Sequence, residues 1–214
     1  MQDFELTDAI YRSRKNVLDM LEARDYITTP YRNYSPKEIT FMMASLNGNA
    51  LRMELAHKNG SKKCIIVYSL TKLKQKLKSF LTSMSDAEKP EYIEDIPNTE
   101  VIILVAEPVV ETFHQTILAN YIDTKLRAFV FQIQTIVNDP SKHIVVPHHE
   151  KVPAEEHAAL LEKLYLKSKS QLQLIRFHAD MQARYHGLVP GDIVKIVRPS
   201  PSAGEYTLYR VCTP

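Results

Sequence analysis

The stretch GDIVKIVRPS at residues 191–200, followed by SAGEYTLYRVC at 202–212, decides the fold of the C-terminal third of the chain. Apolar and polar residues alternate over 191–198 and again over 205–212, which predicts two paired strands. Residues 199–204 are rich in proline, serine and glycine and suit the loop between them. The stretch therefore predicts a β-hairpin.

A helix is predicted ahead of this hairpin. Pro153 and the acidic pair Glu155 and Glu156 suit a first helical turn. An apolar stripe follows, formed by Leu160, Leu161, Leu164 and Leu166. Helix and hairpin predict a small α+β domain at residues 141–214, too small for a deep core. We expect it to bury its exposed apolar face against another chain.

The turn-forming run NDPS at 138–141 marks the boundary of an N-terminal domain, residues 1–140. Two short, β-branched apolar runs, at 62–68 and 100–106, predict buried strands. The domain is predicted to begin with a helix at 8–24, capped by Thr7 or Asp8, followed by strands at 39–44 and 50–56 around a turn at 47–49. A second helix is predicted at 71–84. The stretch 111–137 is helical or mixed, with 129–137 as an alternative strand. This alternation predicts an α/β domain with a small mixed sheet.

The composition is that of an ordinary globular protein, with 44% hydrophobic residues, 24% charged residues and a net charge of +2. We expect Cys64 and Cys212 to be reduced thiols, because two cysteines this far apart do not suggest a disulfide framework. The longest apolar run, at 101–106, is too short to cross a bilayer. We therefore expect an intracellular protein with no membrane partner.

Catalytic motifs and cofactor sites are not predicted. The sequence lacks a phosphate-binding glycine loop and a nucleophile elbow. Four histidines (His143, His148, His149 and His157) lack the paired cysteines of a zinc site, so we expect no metal and no cofactor. A nuclease-like N-terminal domain is the enzymatic alternative, with Glu54 and Lys58, or Asp95 and Glu100, around a divalent metal. The spacing of Glu54 and Lys58 suits a salt pair better.

Two more strings stand in order before the hairpin, HIVVPH at 143–148 and RYHGL at 184–188, and YRSRK at 11–15 lies on the first predicted helix. Together with the hairpin they closely resemble the fifth subunit shared by the eukaryotic nuclear RNA polymerases, a family that also has an archaeal member. The resemblance is specific over 143–211 and looser before. It implies a non-catalytic polymerase subunit with an N-terminal jaw domain and a C-terminal assembly domain.

In that family the assembly domain docks on the largest subunit, among neighbouring small subunits. The resemblance and the residue types predict that the assembly interface of this chain is carried by Arg184, Tyr185, Gly187, Lys195, Arg198, Gly204, Tyr206 and Arg210. Arginine suits such an interface because its planar fork binds carboxylates in pairs of hydrogen bonds. The tyrosines can bury a ring while the hydroxyl stays bonded. Lys195, Arg198 and Arg210 are expected to project together toward an acidic partner.

The jaw of that family lies beside the duplex that enters the polymerase cleft. The candidates for proximity to DNA are Lys72, Lys74, Lys76, Lys78 and Pro108. A solvated helix face explains the four lysines equally well. We expect weak contact that does not read sequence, because the net charge is small. No small-molecule ligand is expected.

Three departures from the family pattern indicate a divergent lineage. The usual Gln-Leu-Pro and Asp-Pro are replaced by QLQ at 171–173 and DM at 180–181. The jaw loop Thr-Pro-Ser-Ala-Lys corresponds to EPVVE at 107–111, whose acids repel phosphates. A DNA virus with its own polymerase and an early-branching eukaryote are both open, which implies the nucleus if cellular and the virion or host cytoplasm if viral. A free-standing nucleic-acid-processing or regulatory protein is the alternative function.

Overall fold

The computed structural model describes residues 2–44, 50–86, 88–89 and 91–214. The backbone divides into two compact units, Met1–Asp139 and Pro140–Pro214, each with its own four-stranded sheet. The predicted α+β class is confirmed. The turn expected at 47–49 lies outside the described residues. No helix in the described part of the chain is long and apolar enough to span a bilayer.

The sheet of the first unit is small and mixed, as predicted. Its strands are β1 (Met53–Ala56), β2 (Lys63–Ser69), β3 (Thr99–Val105) and β4 (Arg127–Gln132), and they lie side by side in chain order. β1 runs antiparallel to β2, whereas β2, β3 and β4 are parallel. Every residue of β3 is buried, which explains why its sequence is apolar on both faces.

Four helices accompany this sheet: α1 (Gln2–Glu22), α2 (Pro36–Met43), α3 (Leu77–Ser85) and α4 (Glu111–Thr124). Because α1 begins at Gln2, Thr7 and Asp8 lie inside the helix, and the expectation that one of them caps it is wrong. α1 packs against the turn Ile133–Ile136, where the amide of Asn16 donates hydrogen bonds to the carbonyls of Ile136 and Val137 at 3.0 and 2.7 Å.

The strand expected at 39–44 is wrong, because residues 39–43 belong to α2 and Ala44 is its C-cap. The hydroxyl of Ser35 accepts a hydrogen bond from the amide of Glu38, and the Glu38 carboxylate accepts one from the amide of Ser35. This capping box, with Pro36 in the first turn, starts a helix. Within this run Ile39 is fully buried and Phe41 is 79% exposed, which is the one-sided burial of a surface helix.

The helix expected at 71–84 begins only at Leu77. The preceding residues form a turn in which the amides of Leu73 and Lys74 donate hydrogen bonds to the Glu107 carboxylate at 2.6 and 2.8 Å. These bonds hold the chain in a turn where periodicity alone predicts a continuous helix. In the stretch 111–137, α4 ends at Thr124, and the alternative strand is confirmed as β4, starting earlier than expected.

The second unit contains the predicted hairpin, formed by β7 (Ile193–Ser200) and β8 (Gly204–Thr213). Two unpredicted strands flank it, β5 (His148–Val152) beside β7 and β6 (Gln173–Arg176) beside β8. The predicted helix is α5 (His157–Lys163), and α6 (Met181–Tyr185) precedes the hairpin. One apolar core joins α5 to the sheet: Val152, Leu160, Leu172, Ile193 and Val211.

Candidate functional site

The register of the second sheet separates its residues into two faces. Residues directly opposite each other on paired strands share a face, and the faces alternate along each strand. One face, called the basic face below, carries the following strand positions: His149, Lys151, Gln173, Ile175, Val194, Ile196, Arg198, Ser200, Gly204, Tyr206, Leu208, Arg210 and Cys212. These positions include Lys151, Arg198 and Arg210 but no acidic residue. Lys151 is already paired with Asp192 at 2.5 Å, and four apolar positions of this face are buried within the unit: Ile175, Val194, Ile196 and Cys212. The exposed part of the face is therefore the hairpin tip around Arg198 and Tyr206, which suits an acidic partner.

Lys195 lies on the opposite face of the sheet. It is directly across from Glu150 on β5, and its Nζ lies 3.4 Å from a Glu150 carboxylate oxygen. The expectation that Lys195, Arg198 and Arg210 project together therefore holds for the two arginines only. Arg198 and Arg210 lie about 13 Å apart along the hairpin, from its strand rise of about 3.3 Å per residue.

Arg198 and Tyr206 form an exposed pair at the tip of the hairpin. They face each other across β7 and β8, and the Arg198 Cζ lies 5.1 Å from the centre of the Tyr206 ring. Tyr206 is 47% exposed. Gly204 opens β8 with a φ of +72°, a conformation that favours glycine. The pair combines an unburied aromatic ring with a planar cation, as interface anchors do.

Arg210 is half-buried on the same face, opposite Val194 and Gln173. Its Nε is buried and has no hydrogen-bond acceptor among the described residues. His149 lies nearby, and burial lowers the pKa of its imidazole, with Arg210 and His148 adding to the shift. The Nδ1 of His149 lies 2.7 Å from the Pro147 carbonyl.

The α6 segment holds three predicted site residues in different environments. Asp180 caps the helix and accepts hydrogen bonds from the amides of Gln182 and Ala183 at 2.7 and 3.3 Å. The next residue is Met181, where the family pattern has a proline. Tyr185 is buried, with its hydroxyl 3.1 Å from the Ser141 hydroxyl. Gly187 has a φ of +61°. Burial lowers the pKa of the neighbouring Arg184 to about 10.

An exposed apolar pair, Ile144 and Val145, was not predicted as part of the site. Their side chains are 96% and 76% exposed. The signal was available, since both lie within the string HIVVPH that carries part of the resemblance. Exposed neighbouring apolar side chains are typical of contact with another chain.

The candidates for proximity to DNA lie beyond the C-terminal ends of the parallel strands β2 and β3. The side chains of Lys72, Lys74, Lys76 and Lys78 are exposed, and only Lys78 lies within α3. Glu107 holds the turn that contains Lys74, and the exposed Pro108 follows Glu107 directly. The structure therefore brings Pro108 close to the lysine segment.

The residues of the nuclease-like alternative are engaged with other partners. Glu100 is 4% exposed and forms an ion pair with Arg24. Glu54 lies 2.8 Å from Arg52, and Lys58 lies 3.0 Å from Asp25. The remaining candidate, Asp95, accepts hydrogen bonds from the Asn98 amide.

The four histidines are not assembled into a metal site. Over the described ranges, no group of three or more histidine, cysteine or acidic side chains could hold an ion. His157 is buried, with Nε2 3.1 Å from the Val152 carbonyl and Nδ1 2.8 Å from the Lys169 Nζ. These contacts join α5 to β5 and to the loop before β6, which is a structural role.

Comparison with known proteins identifies the family. Residues 138–212 match the model of the RNA polymerase Rpb5 C-terminal domain. The chain is 30% identical over 202 residues to the Dictyostelium discoideum protein named DNA-directed RNA polymerases I, II, and III subunit rpabc1, covering 93% of this chain and 94% of that one. It is 31% identical over 219 residues to subunit RPABC1 of Caenorhabditis briggsae, covering 99% of both chains.

An archaeal relative is more similar over a shorter stretch. The DNA-directed RNA polymerase subunit Rpo5 of Pyrococcus horikoshii is 47% identical over 70 residues, which cover 33% of this chain and 83% of that one. The full-length identities are modest, as expected for a divergent member. The chain belongs to the Rpb5 family, the fifth common subunit of eukaryotic-type RNA polymerases.

Proposed function

We propose that the chain is a non-catalytic structural subunit that docks on the largest subunit of a multi-subunit RNA polymerase through its C-terminal unit. The observation that carries this proposal is the basic face, with Arg198 and Arg210 on neighbouring strands and no acid at any of its strand positions. An acidic or carbonyl-rich surface on a partner complements such a face. The exposed Ile144 and Val145 add apolar area beside His143 in the same unit.

The N-terminal unit lies beside the incoming duplex in this proposal. Its exposed lysines, Lys72, Lys74, Lys76 and Lys78, provide phosphate contacts that position the duplex without reading its sequence. Glu107 is already held by two backbone amides, and its charge beside Pro108 weakens close phosphate contact. Any DNA contact is therefore weak and strongly dependent on salt.

We place the chain in the nucleus. Its two full-length relatives come from cellular eukaryotes and are named as subunits of RNA polymerases I, II and III. These relatives favour a cellular polymerase over a viral one. The free-standing enzyme has no specific support, because Glu54, Lys58, Asp95 and Glu100 each have another partner.

Replacing Arg198 and Arg210 together by alanine tests the docking surface. We expect the double variant to fold but to be lost from polymerase purified from the native source, because the basic face then keeps only Lys151, which is paired with Asp192. The matched control is Lys167→Ala with Arg176→Ala, which removes two exposed cations from the same unit but not from the basic face.

Thermal unfolding of the isolated chain separates misfolding from lost docking. Arg198→Glu is the second test, because Arg198 is exposed and its replacement leaves the core unchanged. Normal incorporation of a folded Arg198→Ala/Arg210→Ala variant, or incorporation equal to that of the control, contradicts the assignment.

A further inference from the structure

Arg14 is a buried cation without an acidic partner among the described residues. Arg14 lies on α1 and is only 4% exposed. Its Nη1 donates a hydrogen bond to the Leu51 carbonyl at 3.2 Å, and no described carboxylate lies within ion-pair distance. Burial lowers the pKa of the guanidinium below its ordinary value. A cation in this position is costly unless an opposite charge approaches it.

Two aromatic rings flank the Arg14 guanidinium but do not replace an anion. Its Cζ lies 5.0 Å from the centre of the Tyr34 ring and 5.8 Å from that of Tyr31. The quadrupole of each ring attracts the cation, but this attraction is weaker than that of a carboxylate. Desolvation of the ion costs more than such contacts return, so the rings offset only part of the cost.

The Arg14 guanidinium has an N–H donor that lacks an acceptor among the described residues. Nη1 donates to the Leu51 carbonyl, whereas the buried Nε has no acceptor among the described residues. Nε and Nη2 form the edge that presents two parallel N–H donors to an oxyanion. This geometry favours a bidentate phosphate or carboxylate over a single neutral acceptor.

Arg14 lines a cavity of about 160 Å³, and no acid lines it. Its polar lining consists of Tyr11, Arg14, Lys15, Tyr31, Arg32 and Tyr34. A cavity of about 150 Å³ can hold a benzene molecule, so this volume admits a group of phosphate size. The cavity therefore combines three cations with three phenol hydroxyls.

The nearby acids do not neutralise the cavity. Arg32 forms ion pairs with Asp19 at 2.8 Å and with Glu22, which leaves the charges of Arg14 and of the exposed Lys15 uncompensated. The Tyr31 hydroxyl accepts a hydrogen bond from the Glu54 amide at 3.2 Å, so its own proton is available to an anion. Two uncompensated cations favour the nearly double negative charge of a phosphate monoester or of inorganic phosphate over a single carboxylate.

We propose that the cavity around Arg14 is a binding site for one phosphate group. Arg14 holds the phosphate with its Nε–Nη2 edge, Lys15 provides a second positive charge, and the tyrosine hydroxyls donate to the remaining oxygens. The phosphate comes either from free inorganic phosphate or from a phosphorylated side chain of another polypeptide.

The test is a titration of the full chain with inorganic phosphate at constant ionic strength, followed by calorimetry and tyrosine fluorescence. We expect saturable binding at one site. Arg14→Lys keeps the charge but removes the planar fork, and we expect affinity to fall about tenfold. Lys15→Gln removes an exposed cation, and we expect a smaller loss with an unchanged melting temperature. Arg12→Gln is the matched control, since it removes an exposed cation from the same helix, and its affinity should equal that of the unchanged chain.

Further arms of the titration identify the source of the phosphate. A short peptide with one phosphoserine is compared with its unphosphorylated form and with inorganic phosphate. Tighter binding of the phosphopeptide supports the site and assigns the phosphate to a polypeptide, whereas binding no tighter than inorganic phosphate supports the site and assigns it to the free ion. If Arg14→Lys fails to fold, the phosphate affinity of Lys15→Gln is compared with that of Arg12→Gln, and this comparison decides the result.

Three outcomes overturn the proposal. The first is no saturable phosphate binding by the unchanged chain. The second is an equal effect of Lys15→Gln and Arg12→Gln, which indicates general charge attraction. The third is acetate binding as tightly as phosphate, which contradicts the assignment of a doubly charged ligand.

Discussion

The ion pair between Arg24 and Glu100 is the most buried pair of opposite charges described in the N-terminal unit, with side chains 17% and 5% exposed. Removing one charge of a buried pair leaves the other uncompensated. We therefore predict that Glu100→Gln lowers the free energy of unfolding by about 3 kcal/mol, measured by urea denaturation of the isolated chain.

Glu54→Gln is the control for this change, because Glu54 is exposed and its pair with Arg52 contributes little. Equal stability of Glu100→Gln and Glu54→Gln would show that the buried pair is not structural. Metal-dependent cleavage of a nucleic acid that either substitution abolishes would support the nuclease-like alternative instead.

Both cysteines are buried thiols, Cys64 fully and Cys212 at 1% exposure. Burial raises the pKa of Cys64 well above its ordinary value of 9.0 and that of Cys212 to about 12. We predict that neither thiol of the folded chain is alkylated by iodoacetamide at pH 8 within the time that alkylates the unfolded chain, as measured by mass spectrometry.

The same shifts predict a loss of stability in alkali. The unfolded thiol of Cys212 releases its proton near pH 9, whereas the folded one retains it until about pH 12. The unfolded state therefore binds fewer protons in this window, and the free energy of unfolding falls as pH rises. Rapid alkylation at pH 8, or stability that does not change with pH between 9 and 12, contradicts the burial of these thiols.

At the scale of elements, the capping box of α2 explains why residues 36–43 form a helix rather than a strand. We predict that Ser35→Ala lowers the free energy of unfolding by about 1 kcal/mol, because the Glu38 amide loses its acceptor. Hydrogen exchange should accelerate most at the first amides of α2. Ser61→Ala, at an exposed position outside any helix, is the control and should have no effect.

The capping box also predicts a dependence on acid. Hydrogen bonds from the backbone and side chain of Ser35 hold the pKa of Glu38 below its ordinary value of 4.5. Its contribution is therefore complete above that value and is lost as pH falls through the lower, folded value. An α2 whose exchange rates are unaffected by Ser35→Ala would contradict this origin of the helix.

The elements that the sequence predicts well are those whose pattern reflects their own burial. β3 is apolar throughout because all seven of its residues are buried, and β7 is apolar at its start because Ile193, Val194 and Ile196 are buried. β5 and β6 were missed because each has a single buried residue, Val152 and Ile175. The late start of α3 depends on Glu107, which lies more than thirty positions along the chain from Leu73. No local pattern encodes that contact.

In the candidate site, too, some features follow from the local sequence and others depend on distant contacts. The residue types of the interface could be selected from the sequence, but their grouping depends on register. Lys195 and Arg198 are separated by three positions on one strand, an odd spacing that places them on opposite faces. That signal was available from the alternation itself. The Tyr185 hydroxyl contacts the hydroxyl of Ser141, forty-four positions away, and periodicity does not show such a contact.

At the scale of the whole molecule, two compact units have separate tasks in the proposed function. The C-terminal unit presents the basic face to the largest subunit, and the N-terminal unit presents a lysine segment to the duplex. Neither unit displays a described cluster of metal-binding side chains. In the proposed function the chain acts through position and contact, so its association with polymerase is the property to measure.

The most direct test is to purify the tagged chain from its native source through a high-salt wash and to quantify the associated chains by mass spectrometry. We predict one copy of this chain for each copy of the largest polymerase subunit. The apolar and basic residues that are exposed in the isolated chain are covered by the partner in an integral subunit, and we expect them to stay covered at high salt. Recovery of the chain without polymerase subunits, or at a small fraction of one copy per polymerase, would contradict the proposed function.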